Sequence, residues 1–69
     1  MLFPDLSCER VVRALAKTGF RVVRIRKHVT LSDGEHFVTV PRHSRINPYT
    51  LKTIIKGAGI SDHEFRQLL

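Results

Sequence analysis

The sequence predicts an α+β fold of order α-β-β-β-α-α: a three-stranded antiparallel sheet with helices on one of its faces. Three observations carry this. Residues 22–42 hold runs of β-branched residues on either side of Asp33-Gly34, a dipeptide suited to a tight hairpin turn with positive φ at both central positions. Cys8, Val11, Val12 and Leu15 fall at i, i+3, i+4 and i+7, which is one face of a helix. Asn47-Pro48 and Ser61-x-x-Glu64 are start signals for two further helices. The 69 residues are expected to form one small domain, 1–69, near the lower size limit for a self-sufficient core.

Taken in order, residues 1–6 read as an extended arm, because Pro4 disfavours an early helix. Ser7 is a good N-cap and Glu9 suits the positive end of the helix dipole. Gly19 is placed to stop the first helix, with Phe20 folding back on its last turn. Residues 20–25 form the first strand, offering Val23 and Ile25 to the core. A three-residue link would pair Val23 with Val29 and Arg24 with His28. With Asp33-Gly34 as a two-residue turn, Leu31 faces His36, Val29 faces Val38 and His28 faces Thr39. Alternation along the strands then sends Val29, Leu31, Val38 and Val40 to the core side. His28, Thr30, Phe37 and Thr39 fall on the open side. Pro41 ends the third strand, and 42–46 is a basic loop. Leu51, Ile54, Ile55 and Ala58 repeat at helical spacing up to Gly59. Ser61 and Glu64 form a capping box, with Ile60 and Phe65 as its hydrophobic staple.

Twelve Lys and Arg oppose six Asp and Glu, a formal net charge of +6. Arg10, Arg13, Lys17, Arg21, Arg24, Arg26 and Lys27 follow one another with no acid between them, and 36–61 is also free of acids. Such a field favours polyanions, nucleic acid first among them, or an acidic protein partner. Cys8, the sole cysteine, excludes an internal disulfide and reads as a small core residue. No apolar stretch is long enough to span a bilayer, and no secretory leader is recognisable, so the expected location is the cytoplasm, with no membrane partner. The residue pattern calls for no cofactor and no metal: there is no HExxH and no thiolate set.

Of the four histidines, His36 sits beside the hairpin turn and His63 in the first turn of the last helix, both without further company. His43 lies in Pro-Arg-His-Ser, where it contacts phosphate or simply forms a turn. His28 differs, standing on the open face near Thr30 and Thr39 with Arg24, Arg26 and Lys27 close in sequence. Cutting RNA without metal needs one group to take the 2′-OH proton and another to protonate the leaving oxygen. Imidazole serves either role near neutrality, and cations stabilise charge on the phosphorane. On residue chemistry alone the reading stops at a basic nucleic-acid-binding module. Neither helix pair offers a recognition helix rich in base-reading side chains, which argues against a transcription factor.

The chain resembles HicA-type (YcfA-like) mRNA interferase toxins of HicAB toxin–antitoxin pairs. The likeness lies in Leu6-Ser7 before the first helix, Leu15…Gly19-Phe20 and Val23-Arg24 leading to His28. It continues through His36-Phe37-Val38-Thr39-Val40-Pro41-Arg42-His43, Pro48-Tyr49-Thr50-Leu51, the run from Ile54 to Ser61 and Glu64-Phe65. The resemblance implies a double-stranded-RNA-binding-domain-like fold and an endoribonuclease that cleaves mRNA and arrests translation or growth, a stress-response activity. It also implies a HicB-type antitoxin that covers the active site, in a toxin–antitoxin complex that admits higher-order assembly. The family's catalytic histidine, in a Gly-x-His motif entering the second strand, maps onto His28. Arg24, Arg26, Lys27, Arg42 and His43 are then the expected RNA-binding residues. Arg26-Lys27 stands where the motif has Gly-x, which keeps a second reading open: an RNA- and antitoxin-binding domain of the same fold with weak or no catalysis.

Overall fold

The computed structural model describes residue 3 and residues 5–69. Its elements run α1 (Cys8–Ala16), β1 (Arg21–Ile25), β2 (His28–Ser32), β3 (Phe37–Pro41), α2 (Pro48–Gly57) and α3 (Asp62–Leu68). The three strands form one antiparallel sheet in the order β1-β2-β3, so the α+β class and the element order agree with the sequence reading. Part of the arm expected over 1–6 lies outside the described residues. Of the rest, Phe3 and Leu6 are buried, and Leu6 makes a β-bridge with Ile46, whose N–H donates to the Leu6 carbonyl at 2.7 Å.

Helix ends follow the local chemistry. Ser7 Oγ accepts from the Arg10 N–H at 3.2 Å, and Asn47 Oδ1 from the Tyr49 N–H at 2.7 Å. Ser61 and Glu64 close a reciprocal capping box at 3.1 Å each way. After α1, the Phe20 N–H reaches back to the Leu15 carbonyl and the Gly19 N–H to that of Ala16, and Ile60 and Gly59 repeat this arrangement on Ile55 and Lys56. The glycine in each takes positive φ, 98° at Gly19 and 75° at Gly59.

α1 and α2 pack on the face that carries Val29, Leu31, Val38 and Val40, all buried, and α3 packs against these two helices. Val11, Leu15, Leu31, Val40, Ile46, Leu51, Ile55 and Phe65 are almost wholly removed from water, each worth about 1.5–3 kcal/mol relative to exposure. Phe65 brings α3 into this core and meets the Phe3 ring edge-on at 5.5 Å.

Both strand registers differ from expectation. Leu31 pairs with Val38, Val29 with Val40 and His28 with Pro41, two residues from the two-residue-turn register. The cause is the chemistry of residues 33–36. Asp33 Oδ1 accepts from the N–H groups of Glu35 and His36, Ser32 Oγ accepts from the Gly34 N–H, and Asp33 Oδ2 holds His36 Nδ1 at 3.0 Å. These bonds shape a turn over residues 33–36, closed by the Asp33 N–H donating to the His36 carbonyl at 3.3 Å, and the His36 ring lies against Gly59 and Phe20. A shift of two preserves the alternation, so every side chain of β2 and β3 keeps its face.

In β1, Ile25 pairs with Val29, Arg24 with Thr30, and Val22 with Leu31, with a bulge at Val23. The expected pairs Val23–Val29 and Arg24–His28 do not form. The extra residue lets Arg24 stay on the open face while Val22 and Ile25 take the core-side positions. The core does not extend to them: Val22, Val23 and Ile25 are 42%, 57% and 63% exposed.

Candidate functional site

The register sorts the open face into three rows. His28 lies opposite Pro41, Arg24 is in line with Thr30 and Thr39, and Arg21 with Ser32 and Phe37. His28 occupies the first position of β2, at the end of the Arg26-Lys27 link, and is exposed. That link is closed by the Arg26 N–H donating to the His28 carbonyl at 3.0 Å. No non-glycine residue among those described has positive φ, so Arg26 and Lys27 turn the chain without backbone strain.

A shallow depression opens at this end of the sheet, lined by Arg24, Arg26, Lys27, His28, Thr30 and Thr39. These residues carry an imidazole, two guanidinium groups, an ammonium group and two hydroxyls, the walls of the depression are mostly their carbon atoms, and no carboxylate-bearing residue is among them. Four of the expected site residues thus meet in one place. Arg42 is linked to them through the backbone: its Nη1 donates to the Arg26 carbonyl at 3.1 Å, tying the end of β3 to the β1–β2 link across the start of β2. His43 is turned elsewhere. Its carbonyl accepts from the Cys8 N–H at 3.0 Å, and it lines a separate groove with Cys8, Val12, Val22, Ile25 and Arg42.

That groove, between α1 and β1, was not legible as a site in the sequence. The signal for it is the apolar surplus of Val22 and Ile25, core-side residues of β1 that a three-stranded sheet with short helices leaves uncovered. Burial raises the Cys8 thiol above its ordinary value, against the lowering influence of Arg42, with Glu9 adding to the rise. Cys8 therefore stays protonated at neutral pH and is a poor nucleophile.

The remaining histidines have structural surroundings. His36 is held by Asp33, whose carboxyl is lowered to about 2, first by the backbone N–H groups of His36 and Glu35 and then by the His36 side chain. His63 Nε2 lies 3.2 Å from Gln67 Nε2 one turn along α3. Among the described residues no three His, Cys, Asp or Glu side chains cluster as metal ligands would, and no helix is long and apolar enough to cross a membrane. An imidazole beside cationic side chains is the kind of set that proton transfer at a phosphodiester calls for. Residues 8–60, from the start of α1 to the end of the α2 cap, match the family model described as "HicA toxin of bacterial toxin-antitoxin". No curated protein and no solved structure matches the chain.

Proposed function

The chain belongs to the HicA toxin family of bacterial toxin–antitoxin systems, and from that membership we propose that it is a metal-independent endoribonuclease that cleaves mRNA, with His28 as its catalytic histidine. The observation that carries this reading is the depression around His28, open to solvent and bounded by Arg24, Arg26 and Lys27. In the proposed reaction the 2′-oxygen attacks the neighbouring phosphorus and the 5′-oxygen leaves. A 2′,3′-cyclic phosphate and a 5′-hydroxyl result. One proton departs the 2′-OH and one arrives on the leaving oxygen, and His28 handles one of these transfers. Arg24, Arg26 and Lys27 take the phosphate oxygens and offset the charge that grows on them. Arg42 holds the link that carries Arg26 and, with His43, extends the cationic surface toward the neighbouring groove.

The alternative, a binding domain with weak or no catalysis, rests on Arg26-Lys27 replacing Gly-x. The link makes its turn with no positive φ outside glycine, and His28 still faces solvent, which favours the active reading. A HicB-type antitoxin is the proposed protein partner, in an assembly that admits higher order. β1 supports this: it is a sheet edge whose five residues are all exposed, three of them large and apolar, beside strongly basic neighbours that suit an acidic protein. With mRNA as substrate the proposed location is the cytoplasm, and the consequence of cleavage is arrested translation and growth.

The test is cleavage of a single-stranded RNA by the purified protein in EDTA. The expected result is cleavage leaving 2′,3′-cyclic phosphate ends, abolished by a single 2′-deoxy substitution at the scissile nucleotide. RNA that stays as intact as in buffer, or deoxy-substituted RNA that is still cut at that linkage, overturns the proposal.

A further inference from the structure

β3 opens with a phenylalanine that contributes nothing to the core. Phe37 is 70% exposed, the most exposed large apolar side chain among the described residues. The ring cannot turn inward, because its neighbour Val38 takes the core side and successive residues alternate. The other strand positions near it on the open face are small and hydroxylated: Ser32 opposite, Thr30 diagonal and Thr39 two residues along. They leave most of the ring open to solvent.

Charge on this face is one-sided. Arg21 and Arg24 belong to β1, and Arg26 and Lys27 to the link that leaves it. Phe37 stands on β3, at the opposite edge. A single RNA strand has the same two-sidedness, with phosphates along one margin and bases along the other. Laid across the sheet with its phosphates toward β1, it brings bases over β2 and β3. Phe37 lies four residues along and one strand over from the position of His28, roughly 14 Å at usual strand rise and spacing. That distance exceeds one nucleotide, so the base over Phe37 is not one joined by the scissile linkage.

We infer that Phe37 is a stacking subsite for one unpaired nucleobase of a single-stranded RNA, displaced by more than a nucleotide from the phosphate held at His28. This rests on the reading of the open face as RNA-binding and adds the substrate class: unpaired RNA, because a base inside a duplex has no free face to stack on the ring. Stacking on phenyl tolerates all four bases, so Phe37 supplies affinity and register and not sequence choice.

The experiment measures binding of a fully 2′-O-methylated, hence uncleavable, single-stranded oligonucleotide by fluorescence anisotropy, to the full chain and to F37A and F37Y. F37A is expected to weaken binding about 5- to 150-fold, with F37Y close to wild type and both variants melting like wild type. Abasic substitution, one position at a time, should find a site that weakens wild type but leaves F37A unaffected. F37A binding as tightly as wild type overturns the inference, as does an abasic scan in which wild type and F37A respond alike. Loss of binding to an acidic protein partner with RNA binding intact also overturns it, and assigns the ring to a protein interface. Because the probe cannot be cut, a chain without RNase activity can still bear the inference out. RNA cleavage that is indifferent to Phe37 removes the inference alone.

Discussion

Replacing Gly59 by alanine is expected to damage this fold through one identifiable contact. A Cβ at Gly59 would sit 2.8 Å from His36 Nε2, closer than the atoms tolerate, and the backbone there has φ of 75°. Gly34 is the control: its φ is 98°, and an added Cβ meets nothing within 4 Å. Left-handed backbone costs an L-residue about 1–2 kcal/mol, partly offset by a stiffer unfolded chain, so Gly34→Ala should lose about 1 kcal/mol. Gly59→Ala carries the same backbone penalty and must also push aside a ring packed toward Phe20 and bonded to Asp33. Overpacking of this kind adds about 1–3 kcal/mol, for a total of about 2–4 kcal/mol. That is a large share of the roughly 3.5–10 kcal/mol expected of a chain this size. Urea denaturation followed by circular dichroism measures both variants, and a Gly59→Ala/His36→Ala pair isolates the coupling. The double variant should recover most of the overpacking part. Equal losses in Gly34→Ala and Gly59→Ala, with no coupling to His36, would refute the reasoning.

Three further outcomes are expected. Phe65→Ala empties a fully buried site that brings α3 into the core and should cost about 3–5 kcal/mol, read as a collapse of the thermal midpoint. The Asp33 carboxyl is lowered from 3.8 to about 2, so its contribution to stability is present above the unfolded carboxylate value and is lost as pH falls through the interval down to about 2. Melting from pH 2 to 6 should show the wild-type advantage over Asp33→Asn shrinking across that window, and an advantage constant with pH contradicts it. Binding of RNA should weaken with salt, and Arg24→Gln should reduce the log–log slope by about 0.7 if Arg24 holds one phosphate, whereas an unchanged slope removes it from the interface.

What could be read in the sequence divides by range. The caps at Ser7, Asn47 and Ser61, and the glycine stops at 19 and 59, depend on chemistry within one helical turn, and they stand as expected. Faces were legible for a related reason: alternation of Val29, Leu31, Val38 and Val40 survives any shift of two, so the open face was right while the register was not. The register follows instead from Asp33 and Ser32 side chains bonding the backbone of residues 34–36, a local pattern that competes with the two-residue turn Asp33-Gly34 favours. The bulge at Val23 was hidden because Val22 and Val23 are chemically alike. In the site, Arg24, Arg26, Lys27 and His28 meet because the short Arg26-Lys27 link joins the end of β1 directly to the start of β2. The Arg42 bond to the Arg26 carbonyl, sixteen positions away, was beyond reach, and His43 follows the loop toward α1 instead.

The central claim is that His28 performs acid–base chemistry on RNA. Single-turnover cleavage by wild type and His28→Ala in EDTA, with binding of the uncleavable oligonucleotide measured on both, tests it most directly. His28 is exposed, so its loss should leave folding unchanged, and with Arg24, Arg26 and Lys27 still present most RNA affinity should remain while cleavage falls roughly 10²–10⁴-fold. Cleavage by His28→Ala at the wild-type rate would contradict the account.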